Sequence, residues 1–181
     1  MIVDAPRVLR RAAACAAVAL ASAAAVSAQA AEPGIPAEIQ VPAGNKLFLE
    51  AHATGVQIYD CVAVAGGHAW SAATPRADLF GKNGRRIGTH YGGPTWETKD
   101  GSKVVAKRDT GVTADPTAIP WLRLSVVSTT PGRLGGTTWI QRVATVGGLP
   151  PAAGDCSAAT AGTRTEVPYS ADYRFFKGHG A

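Results

Sequence analysis

Beyond residue 40 the apolar positions recur mostly at every second residue, the period of a half-buried β-strand. Residues 167–176 put Tyr169, Ala171, Tyr173 and Phe175 on one face. Residues 137–146 alternate as cleanly, with Trp139, Gln141 and Val143 on one face and Ile140, Arg142 and Ala144 on the other. The same reading predicts strands over 46–54, 56–64, 86–91 and 121–129, with Gly55 punctuating the first two. Segments 95–98 and 103–107 flank Asp100-Gly101, the dipeptide that favours a tight β-hairpin. Gly66-Gly67, Lys82-Asn83-Gly84 and residues 131–136 are turns, and 147–163 is a loop. A short strand or a helical turn is expected near 77–80. No segment past residue 30 shows helical periodicity. The pattern predicts an all-β fold, an antiparallel β-sandwich or barrel-like sandwich of about 7–9 short strands.

The first thirty residues follow other rules. A basic stretch ends at Arg10-Arg11, an Ala-rich apolar run follows, and Ala28-Gln29-Ala30 closes it as a small-x-small site. That order is a secretory signal peptide, cleaved after Ala30 or Ala28. The apolar run is too short for a membrane span, which takes roughly 20 residues. The expected organisation is a signal peptide over 1–30, an extended Pro-rich arm over 31–42, and one β domain over 43–178. The protein is expected to be exported, periplasmic or extracellular, with no membrane span in the mature chain.

Export changes the meaning of the cysteines. Cys61 and Cys156 are the two that remain after cleavage, and an oxidising compartment pairs them. No CxxC is present and neither cysteine has a nearby histidine, so a structural disulfide is the reading.

Composition narrows the classes. The formal charge is +5, and +3 once the leader is removed. The 21 Gly are all in the mature part, which argues against a helical bundle or coiled coil. Lys and Arg are scattered, and no stacking aromatic run accompanies the basic pair Arg85-Arg86, so nucleic-acid binding is not expected. No GxGxxG opens a strand–helix unit, and no HxH or HExxH spacing is present. Neither a cofactor nor a metal is therefore expected.

Several stretches, in order, resemble one known family. They are Gly55-Val56-Gln57-Ile58-Tyr59-Asp60-Cys61, His90-Tyr91-Gly92-Gly93-Pro94-Thr95-Trp96-Glu97, Ile119-Pro120-Trp121-Leu122 and Ile140-Gln141-Arg142-Val143-Ala144-Thr145. Val167-Pro168-Tyr169-Ser170-Ala171-Asp172-Tyr173 completes the set. The chain is similar over nearly its whole mature length to an exported family known as domain of unknown function 3455. The resemblance implies a small exported domain and no activity. That family typically carries Asn where this chain has Ala144.

The densest chemical cluster is 90–102, with His90, Tyr91, Trp96 and Glu97 at its start. Gln57, Tyr59, Gln141 and Arg142 are polar residues inside otherwise apolar strands. If they point inward they line a polar pocket. The leading expectation is non-catalytic binding of a small molecule or glycan by His90, Tyr91, Trp96, Glu97, Gln57, Tyr59, Gln141 and Arg142. The alternative is an exported hydrolase with Glu97 and His90 as acid and base. A second alternative is a structural cell-envelope protein with no site. Ser102 after Asp100-Gly101 reads as a turn hydroxyl rather than a nucleophile, since no GxSxG surrounds it.

Overall fold

In the computed structural model of the chain, Met1 and residues 34–178 are described. The expected signal peptide, Met1 apart, and the first residues of the arm lie outside the described residues. Nine strands follow one another: β1 (Asn45–Val64), β2 (Gly67–Trp70), β3 (Thr74–Phe80), β4 (Arg86–Tyr91), β5 (Thr95–Thr98), β6 (Lys103–Val112), β7 (Trp121–Thr129), β8 (Thr137–Gly147) and β9 (Arg164–Gly178). Helix is confined, among the described residues, to three-residue 3-10 turns at Ala37–Ile39, Ala153–Asp155 and Ala158–Thr160.

All pairings are antiparallel, and each strand from β3 onward pairs with its neighbour in sequence. β9 then pairs back onto β1 from Asp60↔Arg164 to Asn45↔Gly178. The single sheet therefore closes on itself as an up-and-down barrel of eight strands, with β2 folded back on the far end of β1. This is the barrel-like form of the all-β expectation. Closure leaves no open edge in the ring, which β-sheets otherwise have to protect.

Meander topology sorts the turns between two ends. The β3–β4, β5–β6 and β7–β8 turns lie at one end, here the lower. The β4–β5 turn and the β6–β7 and β8–β9 loops lie at the other, the upper. The disulfide Cys61–Cys156, 95 residues apart in sequence, ties the β8–β9 loop to the upper end of β1. Cys61 also exchanges backbone hydrogen bonds with Thr163 and Gly162.

An eight-stranded barrel is just wide enough for its own side chains. Here the small residues Ala51, Ala53, Ala77 and Ala171 make room for Trp96, Tyr173 and Phe175, all nearly or fully buried. Gly55 belongs to this packing. It does not break the strand, as the sequence suggested; β1 runs through it without interruption. A Cβ on Gly55 would lie 2.1 Å from the Arg76 carbonyl oxygen, so glycine lets β3 approach. The segment near 77–80 is strand, in register with β1 and β4.

The described part of the arm is docked, not only extended. It lies against the outside of β6, β7 and β8, with Ile39 fully buried. Gln141 Nε2 donates to the Ile39 carbonyl at 2.8 Å, and Arg123 Nη1 donates to that of Gln40 at 2.6 Å.

Candidate functional site

Strand alternation separates the expected site residues into an inside and an outside set. His90 pairs with Trp96 and Leu122 with Arg142, so these side chains share the interior face. Gln57 and Tyr59 of β1 face inward too, at the upper end. Glu97 pairs with Thr89 on the outer face, and Tyr91 hydrogen-bonds it there: the phenol donates to Glu97 Oε2 at 2.9 Å. Lys103 lies 3.4 Å from the same carboxylate oxygen. The carboxylate raises the Tyr91 phenol above its ordinary value. His90 and Glu97 thus face opposite sides of one sheet and share no reacting space in this conformation.

The interior set forms a buried polar network rather than an open pocket. The His90 imidazole is stacked on Trp96 and donates its Nδ1–H to the Thr95 carbonyl at 2.8 Å. Burial pushes its pKa down to about 3, the Thr95 bond opposes this, and the Arg142 charge adds to the fall. Arg142 donates Nε–H and Nη2–H to the Pro120 carbonyl at 3.1 and 2.8 Å. Among the described residues no carboxylate pairs with it. Burial raises the phenols of Tyr59, Tyr169 and Tyr173, and the Arg142 charge pulls each back. Tyr59 donates to the Gly148 carbonyl at 2.6 Å, which pins the β8–β9 loop over this end. Gln57 Nε2 and Trp96 Nε1 are buried without a hydrogen-bond partner.

Gln141 belongs to neither set. It faces outward on β8, opposite Arg123 and Arg174, and is buried because the arm covers it. Its Nε2 holds the arm, and its Oε1 accepts from Arg174 Nη1 at 3.1 Å.

The large concave surface lies at the lower end, where the sequence reading placed nothing. A groove of about 880 Å³ runs between the start of β1 and the β3–β4, β5–β6 and β7–β8 turns. Its apolar side is Leu47, Phe48 and Ile87; the first two are each 37% exposed. Five cations border it: Lys82, Arg85, Arg86, Lys99 and Arg133. Two carboxylates are present, and both are engaged. Glu50 is held by Lys82 and Arg174, and Lys82 above all draws its pKa below the usual value. Asp100 accepts from the Thr98 and Ser102 hydroxyls at 2.7 and 2.8 Å, and from the backbone N–H of Ser102 and Arg133 at 3.1 and 2.8 Å. Those bonds, the Thr98 hydroxyl first, hold its carboxyl well below the carboxylate range. Ser102 is the turn hydroxyl expected from its position, bonded to Asp100 and accepting from the Leu134 N–H at 3.1 Å.

The cations were missed because only Arg85 and Arg86 are adjacent in sequence. The available signal was topological: in a meander, alternate turns share an end. Turns carrying Lys82 to Arg86, Lys99 and Arg133 therefore converge. Among the described residues no group of three or more His, Cys, Asp or Glu is placed to hold a metal, and no helix is long and apolar enough to cross a membrane.

The molecule is a closed antiparallel β-barrel, stapled by one disulfide and filled by its own side chains. Its chain belongs to the family described as Protein of unknown function (DUF3455), whose sequence model matches residues 42–177. No curated protein and no solved structure matches it.

Proposed function

We propose that this is an exported, non-catalytic protein that binds a small molecule or glycan in the groove at the lower end of the barrel. The observation that carries the reading is the groove itself: about 880 Å³, apolar along Leu47, Phe48 and Ile87, and set on the rigid rim of a closed barrel. Ligand sites occupy concavities of about 300–1,000 Å³ with apolar walls and a few polar groups. Binding rather than turnover is favoured by the carboxylates. Glu50 and Asp100 are both spent on fixed partners and both pulled toward the ionised form. Neither is poised to move a proton near neutral pH, which acid–base chemistry requires. Export rests on the leader sequence and is in keeping with the disulfide.

The test is titration calorimetry of the full chain against neutral and charged oligosaccharides, with the ligand recovered and analysed afterward. Saturable binding that weakens in Phe48→Ala, with the ligand recovered unchanged, supports the reading. Turnover of the ligand, or binding indifferent to Phe48→Ala, overturns it.

A further inference from the structure

The charge around the groove goes further than its shape. Of the five bordering cations, Lys82 is paired with Glu50 and Arg86 with Asp78. The side chains of Arg85, Lys99 and Arg133 have no carboxylate partner among the described residues, and all three are exposed. Asp100 does not neutralise them. Its oxygens are turned onto hydroxyls and backbone N–H groups that join the β5–β6 turn to the β7–β8 loop. Three separate turns thus direct positive charge at one concavity whose own acids are already satisfied.

Resting on the groove reading, we infer that the ligand is an acidic glycan, a sugar polymer carrying carboxylate or phosphate groups. The polymer supplies the anions that Arg85, Lys99 and Arg133 lack, and the planar guanidinium fork of Arg pairs with two oxygens of a carboxylate or phosphate at once. Its C–H faces pack on Leu47 and Phe48. A second concavity of about 480 Å³ adjoins the first, sharing Glu50, Gly81 and Lys82 with it. A membrane surface fits less well, because a flat plane of headgroups meets protruding cations, not cations around a hollow. Single-stranded nucleic acid fits less well too. It is held by successive stacking aromatics. Phe48 is the one aromatic lining this groove among the described residues.

The experiment measures binding of the full chain to dextran and to phosphorylated dextran, one backbone without and with charge, and to polygalacturonate for carboxylates. Vesicles of phosphatidylglycerol in phosphatidylcholine form a separate arm. The expected result is binding to at least one charged polymer and not to dextran, weakening with salt. Combined replacement of Arg85, Lys99 and Arg133 by Ala is expected to weaken it by about tenfold or more. These side chains are exposed and unpaired, so folding is retained, and circular dichroism checks it. A paired control, Lys107→Ala with Arg108→Ala on β6, removes cations outside the groove. An equal loss from that control marks diffuse attraction to a basic protein and overturns the inference. Dextran bound as tightly as its phosphorylated form, with Phe48→Ala weakening both, overturns the acidic class and leaves the groove reading standing. Binding to vesicles alone overturns the glycan in favour of a membrane surface. Binding to none of these overturns the acidic class, while neutral oligosaccharides decide the groove reading separately.

Discussion

The imidazole of His90 lies flat against the indole of Trp96 inside the barrel, with ring centroids 4.2 Å apart and planes within 8°. Tyr173 meets both rings edge-on, at 4.9 and 5.2 Å. This is how a core aromatic is packed, and it keeps the histidine neutral.

That neutrality has a consequence in acid. The folded pKa of about 3 lies below the ordinary value of 6.5, so the unfolded chain takes up this proton first. Stability from a neutral His90 is fully present above 6.5 and is lost as the pH falls toward 3. The rate of loss is about 1.4 kcal/mol per pH unit for one proton. His90→Phe keeps an aromatic on Trp96 and removes the titration. Unfolding free energy measured from about pH 6 to about pH 4 should fall less steeply in this variant, by close to one proton. Parallel slopes for the two proteins would show that His90 is protonated in the folded state.

Ala144 sits at the irregularity in β8 with φ of 49°, the one positive φ outside glycine among the described residues. A left-handed backbone crowds a Cβ and costs an L-residue about 1–2 kcal/mol. Ala144→Gly should raise stability by about 0.5–1 kcal/mol, after the entropy glycine loses on folding. Ala144→Asn, the residue typical of the family at this position, should gain less, since Asn tolerates this region better than Ala. Thermal unfolding of the three proteins checks the order, which fails if wild type melts highest.

Gly55→Ala tests the β1–β3 seam. Its new Cβ would lie 2.1 Å from the Arg76 oxygen and 2.5 Å from the Ala77 Cα, both backbone atoms that cannot rotate away. The expected cost exceeds about 3 kcal/mol, the overpacking range and beyond. Denaturant unfolding reads it, and a loss under about 1 kcal/mol would mean that the seam opens easily.

Replacing Cys61 and Cys156 together by Ala should destabilise the protein by about 4 kcal/mol, because the bridge closes a long loop in the unfolded chain. The same variant should expose the β8–β9 loop to proteolysis, since Cys61 is the covalent anchor of that loop. Unchanged protease resistance would assign the anchoring to the Tyr59 and Trp70 hydrogen bonds to Gly148 and Ala152.

Much of the strand pattern was legible because it is local. Period-two alternation located β4, β7 and β8 and the inward face of β9, and Asp100-Gly101 marked the β5–β6 turn. The candidate site was less legible. Alternation says which residues share a face, not whether that face is a pocket or a filled core. Gln57, Tyr59 and Arg142 are inward polar residues, as the pattern allowed, yet Tyr59 and Arg142 are spent there on the Gly148 and Pro120 carbonyls. Gln141 is buried for a different reason, the arm laid over the outside of β8.

The amino-acid sequence alone determined the all-β class and the pairing of Cys61 with Cys156. Each follows from chain-local geometry or from having a single possible partner. Only the tertiary structure decided that the sheet closes, since closure depends on β1 meeting β9 across more than a hundred residues. Closure then decided the rest. It gave the interior no more room than its side chains fill, and it bent the end where the meander gathers the turns of Arg85, Lys99 and Arg133 into one rim.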